Sequence, residues 1–401
     1  MPALAVDGGL PVRTTPLPSW PVFGPAELAA ASDVLRSGQV SYWTGPHGRA
    51  FEREFAAGAG ALYAVAVANG TVALEIALRG LGVGPGDEVI VPAIAVMATA
   101  SAVVRCGARP VLADVDIHSQ CLTSDTVEPL LSARTKAIIV VHLAGHPAEL
   151  NPLLRLAGER DVRIIEDCAQ AHGARYFGQP VGSFGDVATW SFGHGKIITS
   201  GGEGGAITTS DLSLWRCCWE FKDQGKNVAS VQRIQPRGRA PRLHDSFGTN
   251  ARMTELQAAI GRIQLGRLDE LVKQRQANAA LLLDLLRGVP AVRAEDPPAH
   301  VEHSYHRFYA HLRPERLGSG WDTDRVIDAI NAEGVPCGSG GDAEISRERA
   351  FAGLEENSPV LPVAAQLGRT SFTLPIHPGL GAEEMHDVTT AVLKVLDTAM
   401  A

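Results

Sequence analysis

The chain has 401 residues, with 36 Lys and Arg against 44 Asp and Glu, giving a formal net charge of −8. That length exceeds what one hydrophobic core of about 250–300 residues supports, so a large domain over residues 1–290 and a smaller one over 291–401 are expected. A hydrophobic share of 45% excludes wholesale disorder, and the acidic balance argues against a nucleic-acid partner, which needs a basic face.

The first sixty residues are rich in Pro and Gly and are expected to wrap over the large domain. The start, Met1 to Asp7, lacks the basic and apolar stretches of a secretory signal, and the longest apolar run, Val89 to Val104, is too short to span a bilayer. Six cysteines form no C-x-x-C pair, so neither a zinc site nor any other metal is expected, and thiols in a reducing cytoplasm suit them. From Tyr63 to Thr209, apolar runs begin at Tyr63, Glu88, Pro110, Ala137, Arg163, Val187 and Ala206. Helix-like stretches such as Thr71–Leu81, Ala95–Cys106 and Glu149–Glu159 fall between them. Continuously apolar strands alternating with helices read as an α/β fold with a mainly parallel seven-stranded sheet. Arg252 to Leu286 reads as one long helical region. Beyond a Pro-rich connector, a strand within Tyr305–Leu312 and helices Asp322–Glu333 and Ala382–Leu396 suit a smaller α+β domain.

Ligands in open α/β sheets bind beyond the carboxyl ends of the strands, which selects four places. Asn69-Gly70-Thr71 opens a helix, where glycine lets the backbone approach an anion; a plain N-cap explains it equally well. Glu166-Asp167-Cys168-Ala169-Gln170 places a costly carboxylate at a buried strand end. Asp167 could meet a protonated ring nitrogen or simply favour a helix dipole. Ser191-Phe192-Gly193-His194-Gly195-Lys196 sets one lysine in a glycine-rich loop, as Schiff-base chemistry requires. Asn250, before the long helix, reads as an N-cap. Pyridoxal phosphate needs an amine, a carboxylate and phosphate donors. Lys196, Asp167, and the pair Thr71 and Ser191 supply them, each at an expected strand end.

The stretches Ala68-Asn69-Gly70-Thr71, Glu166-Asp167-Cys168-Ala169-Gln170-Ala171-His172-Gly173, Ser191-Phe192-x-x-x-Lys196, Gly202-Glu203-Gly204-Gly205 and Asn250-Ala251-Arg252-Met253 are those by which the chain resembles the DegT-type (StrS-like) sugar aminotransferases. These are pyridoxal-phosphate enzymes of fold type I, the aspartate aminotransferase class. The resemblance implies that Lys196 carries the cofactor aldehyde and Asp167 pairs with the ring nitrogen. It implies that Gln170 contacts the ring and that Gly70, Thr71 and Ser191 hold the phosphate. Asn250 would reach the phosphate in a neighbouring subunit, making a homodimer with shared sites. His142 and His303 would lie near the substrate, with a structural role equally open for each. Val96 stands where many relatives stack an aromatic residue on the cofactor. The implied reaction moves an amino group from glutamate or glutamine to a ketosugar or ketocyclitol in antibiotic or polysaccharide biosynthesis. The alternative is a dehydrating, aromatising enzyme like the aminohydroxybenzoate synthases.

Overall fold

The computed structural model describes residues 3–232, 243–340, 344–352 and 361–401. All seven apolar runs form strands of one sheet: β1 (Tyr63–Val67), β2 (Glu88–Pro92), β3 (Arg109–Ala113), β4 (Thr135–Val141), β5 (Arg163–Asp167), β6 (Val187–Ser191) and β7 (Gly205–Thr209). Their order is β1-β7-β6-β5-β4-β2-β3. Only β7 runs antiparallel to its neighbours, so the other six end on the same edge of the sheet. Helices cover the sheet, and β2 and most of β4 and β5 are buried throughout, which is why their sequences carry Val and Ile without polar alternation.

Register sets the geometry at that edge. Val141 of β4 lies beside Asp167 of β5, which lies beside Thr189 of β6. Ser191 pairs with Gly205, which in turn pairs with Val67 at the end of β1. Two residues on, the Asn69 side chain accepts a hydrogen bond from the Val72 N–H and caps the helix Gly70–Gly80.

A second apolar core gathers Leu282, Phe308, Ile330, Phe372, Val392 and Leu396. It surrounds a four-stranded antiparallel sheet made of Val292–Arg293, Phe308–Leu312, Ser371–Leu374 and Gly338–Ser339. Two expectations change here. The stretch Arg252–Leu286 is two helices, Glu255–Gly266 and Leu268–Leu286, which meet at Arg267 with φ −106°. The break lets the first helix pack on Pro25–Ser37 and His47–Gly58 while the second reaches the other core. The first residues also bind the smaller core instead of the large one. Leu4 is buried there, Glu333 accepts hydrogen bonds from the Ala5 and Val12 N–H groups, and Arg13 pairs with Asp387 at 2.7 Å. Among the described residues no helix is long and apolar enough to cross a membrane.

Candidate active site

The strand ends enclose a cavity of about 330 Å³. Gly70, Thr71, Val96, Asp167, Gln170, Ser191 and Lys196 all line it, joined by Thr99, Thr189 and Glu203. Residues more than 120 positions apart in sequence thus meet in one cleft. Asp167 is buried, its Oδ1 accepting from the Ala169 N–H at 3.1 Å and its Oδ2 from the Thr99 hydroxyl at 3.4 Å. Burial pushes its carboxyl above the ordinary range, against the pull of the Ala169 N–H, Lys196, His142 and Thr99. A carboxylate so placed gains from a positively charged partner in the cleft.

Lys196 sits in a turn closed by its own N–H on the Gly193 carbonyl at 3.1 Å. Its carbonyl accepts from the Trp20 indole at 3.0 Å, and the Gly195 carbonyl from His306 Nε2, also at 3.0 Å. Neither Trp20 nor His306 was expected at the site. No local pattern marks them, because only tertiary packing brings residues 20 and 306 to this loop.

The far wall is built by glycine. A Cβ on Gly70 would stand 2.7 Å from Cβ of Ser191, and one on Gly205 would strike the Asn69 carbonyl carbon at 2.5 Å. The backbone therefore brings the helix N-terminus, with its free N–H groups, against the Ser191 hydroxyl, an arrangement that suits a phosphate. The Thr189 hydroxyl, beside Asp167 in the sheet, is buried without a hydrogen-bond partner. Lysine, carboxylate, anion cradle and an unanswered hydroxyl in one cleft fit pyridoxal phosphate. Val96, 43% exposed, offers its branched methyl groups to this cavity.

Gln170 is fixed by the Ala144 N–H, which donates to its Oε1 at 2.7 Å. Three expected residues lie elsewhere. His142 is wholly buried behind the site; its Nδ1 accepts from the Ala148 N–H at 3.0 Å and its Nε2 donates to Glu166 at 3.1 Å. Both of its ring nitrogens are thus engaged by the protein itself. His303 lines a different cavity, stacked on Tyr305 with ring centroids 3.8 Å apart. The histidine that touches the lysine loop is His306, three residues later. Asn250 is exposed, away from this chain's own cleft, and caps no helix; Thr254 does, accepting from the Gln257 N–H.

The sequence profile of the DegT/DnrJ/EryC1/StrS aminotransferase family matches residues 22–393. The chain is 37% identical to an L-glutamine:2-deoxy-scyllo-inosose aminotransferase of Streptoalloteichus tenebrarius, with 98% of this chain and 97% of the relative covered. It superimposes on the aminotransferase from Psychrobacter cryohalolentis with a TM-score of 0.93 and 42% identity, covering 96% of this chain and all of that one. A 3-amino-5-hydroxybenzoic acid synthase is also similar, with a TM-score of 0.85 and 31% identity over 96% of this chain and 100% of that one.

Proposed function

The chain belongs to the DegT/DnrJ/EryC1/StrS aminotransferase family and is a pyridoxal-phosphate-dependent aminotransferase, and from that premise we propose that it moves the amino group of glutamine onto a ring ketone of an inosose-type cyclitol. The observation that carries this reading is the cleft in which Lys196, Asp167, Ser191 and the Gly70–Thr71 helix start converge. The 37% identity to a glutamine-using inosose aminotransferase over nearly the full length of both chains supports the choice of donor and acceptor.

Bound pyridoxal phosphate supplies the electron sink that carries the amino group from donor to acceptor. In the proposal the protein does the rest. Asp167 holds a ring nitrogen protonated, since its buried carboxylate is stabilised by an adjacent positive charge. The Lys196 amine would hold the cofactor aldehyde, and the same amine is placed to take a proton from the donor Cα and to give one to the acceptor carbon. Gly70 and Thr71 N–H groups with the Ser191 hydroxyl hold the phosphate, and Gln170 contacts the ring. Val96 replaces an aromatic stack with aliphatic contact.

The active unit in this reading is a homodimer in which Asn250 completes the phosphate site of the other subunit. Its exposure outside its own cleft supports that assignment. Mixing Lys196→Ala and Asn250→Ala proteins then rebuilds one intact site per mixed dimer, restoring about a quarter of wild-type sites under random exchange. No restoration would place Asn250 outside the shared site. A cytoplasmic setting is part of the proposal, supported by six cysteines that all stand as free thiols.

The deciding experiment mixes purified holoenzyme with glutamine alone and follows the cofactor absorbance. Conversion from the aldehyde to the amine form, reversed by an inosose, is the expected result. Failure of glutamine to convert it, with release of water from a ring substrate instead, would favour chemistry like that of the similar 3-amino-5-hydroxybenzoic acid synthase.

A further inference from the structure

Behind the lysine loop lies a second cavity, of about 410 Å³, which shares no lining residue with the cofactor cleft. Trp20, Gly195, Arg275, His306, Arg307 and His377 are among its walls, and among the described residues no Asp or Glu is. Arg275 is only 2% exposed. Its Nη1 donates to the carbonyls of Tyr305 at 3.3 Å and His306 at 3.1 Å, and its guanidinium stacks 5.1 Å from the Trp20 ring. Burial alone bears on its acidity, with no carboxylate opposing it. A guanidinium keeps its proton in a protein, so among the described residues this is a buried cation without a counter-charge, a costly arrangement.

The polar groups around this cation are incompletely answered: Arg275 Nε is a donor without an acceptor, and His306 Nδ1 is the lone-pair side of a ring whose Nε2 donates to Gly195. Arg275 Nε, His306 Nδ1 and His377 Nδ1 are buried without hydrogen-bond partners. Burial, followed by the charges of Lys196 and Arg275, holds the His306 imidazole far below its usual range. Burial and Arg275 hold His377 near about 4. Exposed Arg307 adds another positive group to the lining.

We propose that this cavity is a second ligand site that takes a small monocarboxylate, anchored by Arg275 with Arg307 beside it. One buried unit charge is answered by one negative charge, and the planar guanidinium matches a carboxylate fork. The free amino donor and the keto acid left after its amino group departs both present such a group. The occupant would touch the lysine loop directly, because His306 and Trp20 hold the Gly195 and Lys196 carbonyls. The site therefore lies against the backbone of the loop that carries Lys196, apart from its side chain's cleft. This inference does not depend on the identity of the keto acceptor.

The test is calorimetric titration of holoenzyme with glutaramate, which has one carboxylate and no amine to react, and with its neutral diamide as control. Saturable binding of glutaramate and none of the diamide is expected. Arg275→Gln should weaken it about tenfold or more and Arg307→Gln about threefold, whereas Lys196→Ala should leave it unchanged. Binding that survives Arg275→Gln intact, or that disappears with Lys196→Ala, overturns the proposal. Should Arg275→Gln fail to fold, the exposed Arg307 carries the test, and unchanged affinity in Arg307→Gln overturns it equally. In the Lys196→Ala protein, separate titrations with glutamine and with its keto acid identify the tighter occupant.

Discussion

A methyl group added at Gly70 would meet Cβ of Ser191 at 2.7 Å and its Oγ at 3.2 Å. Gly70→Ala must push the helix start away from the strand end, at a cost of about 1–3 kcal/mol for overpacking. The expected outcome is cofactor affinity reduced by at least tenfold with the fold retained, measured by equilibrium dialysis and circular dichroism. Asp167 allows a sharper test. Its carboxyl is raised in the folded state, chiefly by burial, so the folded chain holds a proton more tightly than the unfolded one. Stability from such a group falls as pH rises past the ordinary carboxylate range. In cofactor-free protein at pH 7, Asp167→Asn should therefore melt higher than wild type. With cofactor bound the order reverses, because an amide cannot balance a protonated ring, and turnover should drop by roughly 10²–10⁴. An apoprotein whose melting temperature is unmoved by Asp167→Asn would contradict the buried-charge account.

Strand β5 shows how one element supports the site from behind. Glu166 precedes Asp167 and points the other way, as alternation along a strand requires. Its Oε1 accepts from the Phe184 and Gly185 N–H groups at 2.8 and 2.7 Å, and its Oε2 from Gly182 N–H at 2.7 Å and His142 at 3.1 Å. Burial works against this charge, yet His142 and the backbone donors hold the carboxyl below its ordinary range. Glu166→Gln would set an NH₂ group against a donor and should cost about 1–3 kcal/mol, read as a lower urea midpoint. An unshifted midpoint would mean that the segment 182–185 re-forms its bonds elsewhere. The strands were legible in the sequence because burial on both faces leaves an uninterrupted apolar run, and the lysine, carboxylate and glycines were legible because each stands at a strand end. His142 was legible only as a histidine, since Glu166 and Ala148 decide its role. The same limit applies to His303 and His306, which share one short segment but face different cavities. Trp20 carries no local signal at all. The break at Arg267 was hidden because apolar periodicity continues on both sides of it, and only the position of the second core demands it.

At the scale of the whole molecule, the helix Leu268–Leu286 ties the two cores together, with Leu271 in the one around the sheet that carries the site and Leu282 in the other. Several histidines are buried neutral across this frame. Burial, followed by the neighbouring cations Lys196 and Arg275, holds His172 at about 3. His311 is also at about 3, through burial and then Arg293, and His377 at about 4, through burial and then Arg275. All lie below the value near 6.5 of an unfolded histidine. As pH falls through 6.5 the unfolded chain takes up these protons while the folded chain refuses them, so stability declines from there down to pH 3–4. The expected outcome is a urea midpoint clearly lower at pH 5 than at pH 7.5, with net proton uptake on unfolding at pH 5. His311→Phe removes one such proton and should shrink the difference between the two midpoints. His311 faces Arg293 outside the cofactor cleft, so the variant should do so without changing cofactor absorbance. Equal midpoints at both pH values would mean that these rings are charged in the folded protein and that the cavities around them admit water.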